Sequence, residues 1–399
     1  TALTEPGRHL VTLAEGLADE FAIRAAEHDR DASYPHEAIE ALHSAGYFTA
    51  PIPAQFGGLG TASVHDLVVA ASRLARGDAS VAIGVNMHMT ILRNLVRRWE
   101  LAVARDDERR AVAFGQTLEA VAYDGTVIAS AGSEPQQDLT RPATTATRID
   151  SGWRIDGRKI FCTMSPAATV LFTAVTFRDD DGNDRYGYAR VPAGTPGMTV
   201  NDDWDALGMR ASGSHSVTFD GAEVPASALR GGFPVGSVLP YIEANLTAGL
   251  FHAAASLGIA EAAHGTVTEA LARRNGSFKE GRGSTLLAES TIDLSAQRAM
   301  LSRTATLVDG YYASDADGDP ALVQLFAEVQ AAKTFVNESA TRVVDRALAL
   351  SGGAGYMAGN PLARHYRDVR AGAFMHPLGS NRAYDVLAQI ALSREPALH

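Results

Sequence analysis

The chain has 399 residues, 46% hydrophobic and 20% charged, the balance of an ordinary packed protein and too long for one typical domain. Its formal net charge of −11 gives no basic field for a phosphate backbone, so nucleic acid is not an expected partner. The single cysteine, Cys162, excludes an intrachain disulfide and any multi-cysteine metal cluster, in keeping with a reducing cytoplasm.

Targeting and membrane signals are not evident. Thr1 to Arg30 alternates charged with apolar residues instead of forming a signal core, and no apolar run is expected to reach the ~18 residues that span a bilayer. From Pro6 to about Glu119, apolar residues recur at helical spacing, as in Leu10 to Ala26 and Val64 to Leu74, with Gly and Pro as punctuation. Residues 1–125 therefore read as a helical domain. At Thr126 the texture changes to short β-rich runs. These are Val127 to Ser130, Ala143 to Ile149, Trp153 to Ile155, Lys159 to Thr163, Val170 to Thr176, Tyr186 to Val191 and Ser216 to Phe219. Asp150-Ser-Gly152 and Asp156-Gly157 are turn signals at the ends of such runs, as antiparallel hairpins need. Residues 126–235 thus read as a small all-β domain.

The helical period returns after about Gly236, and Val336, Ala340, Val343, Ala347 and Leu350 fall on one helix face. Residues 236–399 should form a helical bundle. Asp315 to Asp319 looks like part of a calcium loop, but Pro320 follows and no glutamate closes it. A solvated loop is expected there, and no metal site.

No Gly-x-Gly-x-x-Gly follows a strand, and there is no phosphate loop, His-Glu-x-x-His or Gly-x-Ser-x-Gly. Nicotinamide, nucleotide-hydrolase, zinc-peptidase and serine-hydrolase readings lose their usual support. Gly58-Leu-Gly60 and Gly352-Gly-Ala-Gly355 read by themselves as tight turns.

Seven segments in order resemble the acyl-CoA dehydrogenase superfamily across essentially the whole chain. They are Tyr34 to Leu42, Pro53 to Gly60, Ser133-Glu-Pro135, Asp156 to Thr163, Asp205 to Gly213, Gly352-Gly-Ala-Gly-Tyr356 and Tyr366-Arg-Asp368. The resemblance implies an α+β, mostly α fold: an N-terminal helical domain, a middle β-barrel or sandwich domain and a C-terminal four-helix bundle, assembled as a homotetramer. It also implies a flavin between the β domain and the bundle. Phe161 would contact the isoalloxazine, the Thr163 hydroxyl would meet flavin N5 or its neighbour, and Ser133 would join them on the cofactor. Arg274 and Phe278 of a neighbouring subunit would grip the flavin phosphates, at a spacing one residue longer than the family's. Gly352, Gly353 and Gly355 would back the nucleotide half. Read without the resemblance, Phe161 is a core residue and Thr163 a plain strand residue.

The sequence departs from the family's dehydrogenases at the base that takes the substrate α-proton. Counting from Arg367-Asp368, the usual glutamate is replaced by His376 within Phe374-Met-His-Pro377. The second family position for this base counts to Ala248, with Glu243 near it but out of register. The text around these sites resembles the flavin-dependent monooxygenases of this fold. Val200 to Arg210 is similar to dibenzothiophene monooxygenases, while Tyr366 to Gly372 and Phe374 to Pro377 are similar to the nitrososynthases that oxidise amino sugars.

The resemblance implies a two-component monooxygenase supplied with reduced flavin by a separate reductase. It would oxygenate a small molecule at nitrogen or sulfur, such as an amino sugar, through a flavin C4a-hydroperoxide. His376, Thr163 and His88 are the catalytic candidates, since hydrogen-bonding groups in a dry pocket suit such chemistry. His88 stands in an apolar helical stretch, Val85 to Thr90, where a lone histidine otherwise reads as core. Ala349 replaces a glutamine that holds the adenylate of FAD in the family's dehydrogenases, so FAD and FMN both stay open. The competing readings are an FAD-dependent acyl-CoA or acyl-carrier dehydrogenase with a non-standard base, and a non-catalytic flavin-binding homologue.

Overall fold

The computed structural model describes residues 1–135, 138–273, 281–314 and 321–398. Arg274, Phe278 and the Asp315 to Asp319 segment lie outside the described residues.

Six helices come first: α1 (Glu5–Ala22), α2 (Ala25–Asp31), α3 (His36–Ser44), α4 (Val64–Gly77), α5 (Ala79–Ala104) and α6 (Glu108–Tyr123). Side chains start them. Thr4 Oγ1 accepts from Gly7 N at 3.0 Å to cap α1, and Asp78 Oδ1 accepts from Ser80 N at 2.8 Å to cap α5. Apolar residues face inward around most of α5, so it is a central helix and not a surface one.

Eight strands follow: β1 (Ile128–Ala131), β2 (Thr145–Ile149), β3 (Gly152–Lys159), β4 (Val170–Arg178), β5 (Asp184–Pro192), β6 (Met198–Val200), β7 (Val217–Pro225) and β8 (Leu229–Pro234). They form one sheet in the order β6-β7-β3-β2-β4-β5-β8, with β1 parallel beside β4. Asp150-Ser-Gly152 makes the β2–β3 hairpin as expected. Asp156-Gly157 does not turn the chain. It is a bulge inside β3, where Gly157 takes φ +151° and a Cβ would come within 2.5 Å of Thr144 Oγ1. The expected strand Lys159 to Thr163 is also corrected, because β3 stops at Lys159. Strands β6 and β8 were not expected.

The last third holds α7 (Val238–Asn245), α8 (Ala248–Ala272), α9 (Arg282–Tyr312), α10 (Ala321–Ser351), α11 (Pro361–Val369) and α12 (Ser380–Ala391). Helix α10 packs on α8, α9, α11 and α12, and α4 packs on α8. One apolar core therefore runs through the first and last helical parts, from Leu10 through Leu74 and Phe251 to Val343. The sheet has a core of its own around Ile155, Leu171, Val191 and Phe219. Val238–Ala272 is long and apolar enough to cross a membrane, which corrects the expectation of no such run, but 94% of its window is buried inside the fold. The stretch comprises α7 and α8, and α8 is the core helix of the bundle.

Candidate active site

The segment after β3 is shaped by a buried ion pair. Lys159 Nζ reaches Glu134 Oε1 at 2.6 Å, both side chains being nearly inaccessible. The same carboxylate accepts from Ala143 N at 2.6 Å, Thr144 N at 2.8 Å and Thr144 Oγ1 at 2.6 Å. Burial pushes the Glu134 pKa up, but Lys159 and these hydrogen bonds outweigh it and hold the carboxyl below its ordinary range. The Glu of Ser133-Glu-Pro135 is thus an anchor. Ser133 O accepts from Ile160 N at 2.9 Å, fixing the start of the next turn.

That turn is held in unusual backbone geometry. Phe161, Met164 and the adjoining Met209 all have positive φ, at +54°, +66° and +52°. Non-glycine residues seldom adopt this conformation, and such residues gather at functional sites. Backbone bonds from Cys162 N to His215 O and from Met164 N to Ser212 O, each 3.0 Å, hold the turn against Met209 to Ser216. The β-propensity of Ile160-Phe-Cys-Thr163 yields to these contacts. As a result Phe161 is 57% exposed, edge-on to Trp204 at 5.9 Å. Thr163 Oγ1 accepts from Ser214 Oγ at 2.9 Å, and Ser214 meets Ser212 Oγ at 2.7 Å. An open aromatic face with a hydroxyl chain at its edge suits a flat heteroaromatic ring, so these residues fit the isoalloxazine expected there. Cys162 is buried, its thiol pushed up to about 12 by burial, and is inert.

Two of the motifs are explained by packing on each other. Met209 N donates to Asp368 Oδ1 at 2.7 Å, Arg367 Nη1 donates to Asp29 Oδ1 at 2.8 Å, and a Cβ on Gly208 would meet Arg367 O at 2.3 Å. The Asp205 to Gly213 segment and Tyr366-Arg-Asp368 form a clasp between the sheet and α11. Gly352, at φ +64°, and Gly353 lie exposed in a tight turn, and Gly355 packs on Ser351.

A cavity of about 440 Å³ opens between α5, α6, the sheet, α7, α8 and the loop after α11. Its inner wall is largely apolar, with Met87, Ile91, Leu95, Phe172 and Ala248. Arg98, Arg105, Arg110 and Arg230 also line it. Arg98 pairs with Glu243 at 2.9 Å, and Arg230 lies 5.8 Å from the Phe114 ring centre. Glu243 is buried in this ion pair and is not among the lining residues. Asp107 in the lining caps α6 by accepting from Arg110 N at 3.1 Å.

His376 lines this cavity together with Ala248, so the two family base positions face one space. The imidazole Nε2 lies 2.9 Å from Asn245 Oδ1 and 3.4 Å from Tyr241 Oη. Burial, reinforced by the positive charges of Lys333 and Arg382, pushes its pKa down to about 3, so the ring is neutral at ordinary pH. The loop presenting it is fixed from below. Lys333 Nζ, buried on α10, donates to His376 O at 3.1 Å, to Leu378 O at 2.7 Å and to Met375 O. Beneath the loop His252 is buried, with no hydrogen-bond partner on either ring nitrogen among the described residues.

His88 does not join this group. Its Nδ1 accepts from Ile128 N at 3.0 Å and its Nε2 faces Phe48 O at 2.8 Å. Both nitrogens serve backbone groups in a fully buried position, and it is the neighbouring face of α5, with Met87, Thr90 and Ile91, that lines the cavity. His88 is a structural clamp, which corrects its expected role at a peroxide. Thr163 and His376 make no contact with each other. Asn245, Tyr241 and Lys333 were missed from sequence. Only Lys333 left a signal there, as a charge on the apolar stripe of Val329, Val336 and Ala340.

Family models for the acyl-CoA dehydrogenase N-terminal, middle and C-terminal domains match residues 8–99, 129–222 and 250–377. The L-evernosamine nitrososynthase of a Micromonospora species is 35% identical over 98% of this chain and 91% of its own. The amino sugar nitrososynthase DnmZ of Streptomyces peucetius is 33% identical over 98% of this chain and 95% of its own. Among solved structures, KijD3 in complex with FMN and a dTDP-linked 3-amino sugar superimposes with a TM-score of 0.89. It is 33% identical, covering 100% of this chain and 96% of that one.

Proposed function

Because the chain belongs to the acyl-CoA dehydrogenase family, with nitrososynthases among its full-length relatives, we propose that it is a flavin-dependent monooxygenase oxygenating the amine of a nucleotide-linked amino sugar. The observation that carries this reading is the pair His376 and Ala248. The two places where a dehydrogenase of this fold keeps its carboxylate base open onto one cavity, and neither holds a carboxylate. Taking the α-proton of a thioester calls for a base of useful strength, whereas an imidazole pushed down to about 3 is a poor one.

When bound, reduced flavin, delivered by a separate reductase, supplies two electrons and activates dioxygen, one atom of which goes to the substrate nitrogen and the other to water. The chain's residues arrange that exchange. Phe161 would back the ring, and Thr163, with Ser214 and Ser212 behind it, would offer a hydroxyl at the ring edge. The apolar wall around Met87, Leu95 and Phe172 keeps water from the oxygen. The arginines of the lining suit a diphosphate, since guanidinium groups bind phosphate by charge-assisted hydrogen bonds. Support also comes from the relative solved with FMN and a dTDP amino sugar.

The oxygen reaction tests the proposal. Protein loaded with reduced flavin under anaerobic conditions and mixed with oxygen should give a long-lived absorbing species, then hydroxylamine or nitroso product from a nucleotide-linked amino sugar. Immediate return to oxidised flavin with stoichiometric peroxide, or bleaching of oxidised flavin by an acyl thioester, would overturn it.

A further inference from the structure

We infer that Asn245 fixes the tautomer of His376, so that Nδ1 stands in the cavity as a hydrogen-bond acceptor for an N–H of the substrate amine. The side-chain amide of Asn245 is oriented by its own contacts. Its Nδ2 donates to Tyr241 O at 2.9 Å. Turning the amide over would set Oδ1 against the Tyr241 carbonyl, acceptor against acceptor. Oδ1 must therefore be the atom 2.9 Å from His376 Nε2, and it requires a proton on that nitrogen.

A neutral imidazole carries one proton, so with Nε2–H spent on Asn245 the lone pair lies on Nδ1. Among the described residues Nδ1 has no hydrogen-bond partner, and it is not among the sealed, unpartnered atoms that include both nitrogens of His252. It is open to what enters the cavity. The groups around the ring keep it neutral. Lys333 on α10 and Arg382 oppose a further positive charge, and Tyr241 on α7 and His252 on α8 add no anion.

The tautomer matters because an amine is oxygenated through its nitrogen lone pair. A donor facing the amine would occupy that pair. An acceptor takes an N–H instead and leaves the pair free to point at the oxygen. Asn245 is thus a positioning residue that acts through His376, and only this last step rests on the amine reading above.

Histidine ring ¹⁵N shifts in the flavin-free protein, with His376→Gln for assignment, test the tautomer independently of activity. Nε2 of His376 should be protonated and Nδ1 unprotonated at neutral pH. A protonated Nδ1 or an imidazolium overturns the inference. Asn245→Leu should give a mixed tautomer, and an unchanged spectrum would count against the clamp. Asn245→Asp, near in shape, should move the imidazole titration upward, and a ring that still does not titrate above its wild-type range overturns it. Adding a nucleoside-diphosphate amino sugar should shift Nδ1, while the deoxy congener, with hydrogen in place of the amine and so no donor, should not. If both ligands leave Nδ1 unmoved, the acceptor role fails whatever the tautomer. In turnover, Asn245→Leu should lower oxygenated product per flavin reoxidised about tenfold or more, the scale of a misoriented reacting group, and undiminished coupling would refute the positioning role.

Discussion

Replacing Lys333 by methionine separates the stability of the bundle from the placement of His376. The substitution keeps an unbranched side chain but removes the donors that hold Met375, His376 and Leu378. Three carbonyls, one buried and two partly buried, left unpartnered cost about 1–3 kcal/mol each. Against this, burial pushes the Lys333 pKa from 10.5 down to about 7, and at about 1.4 kcal/mol per unit relief of that strain returns roughly 5 kcal/mol. The two effects largely offset each other, so denaturant unfolding at neutral pH should shift by at most about 4 kcal/mol toward instability or about 2 kcal/mol toward stability. The loop should still be freed, with amide exchange over residues 375–379 rising at least tenfold and turnover falling by about the same factor.

The pH dependence has a definite sign. Between pH 7 and the ordinary lysine range the unfolded chain binds a proton that the fold does not, so wild-type stability should rise with pH across that window, and the variant should lack the rise. A variant with the wild-type slope, or with unchanged loop exchange and turnover, would refute the assigned role of Lys333.

Thr163→Val removes the hydroxyl next to Phe161 and should raise peroxide released per flavin oxidised at least tenfold, measured by oxygen and peroxide electrodes, with the fold intact by circular dichroism. His88→Leu orphans Ile128 N–H and Phe48 C=O and should destabilise the protein by roughly 2–4 kcal/mol in chemical denaturation. Activity per folded molecule should stay within about twofold of wild type, which a role at the reacting oxygen would not allow. Arg230→Ala should raise KM for a nucleotide-linked substrate about tenfold at low ionic strength, with less effect at high salt and little change in kcat. An unchanged KM would remove the diphosphate from the proposed binding mode.

Much of this architecture was legible because it rests on local signals. The 3.6-residue period of Val336, Ala340, Val343 and Ala347 marks the buried face of α10, and Asp150-Ser-Gly152 closes the β2–β3 hairpin. Register from Arg367 leads to His376, because the clasp at Asp368 and the loop after α11 are close in the chain. What was hidden depends on long-range contact. Ile160 to Thr163 have strand-forming residues, yet His215 claims the amide of Cys162 and Ser212 that of Met164, and the turn they hold leaves Phe161 facing outward. His88 looks the same in sequence whether its nitrogens face a ligand or backbone. Asn245 carries no local mark at all, since its meaning comes from His376, 131 residues further on.

That separation has a consequence for how the molecule is made. During synthesis the helices through α6 and the whole sheet emerge before the segment bearing His376, and α10 emerges with Lys333 before the carbonyls it will hold. A chain halted after α10 would contain Lys333 but neither the three carbonyls it donates to nor His376 of the cavity wall. One short loop both partners Lys333 and brings His376 to the cavity. The cavity wall that bears His376 is therefore complete only when this loop lies against α10.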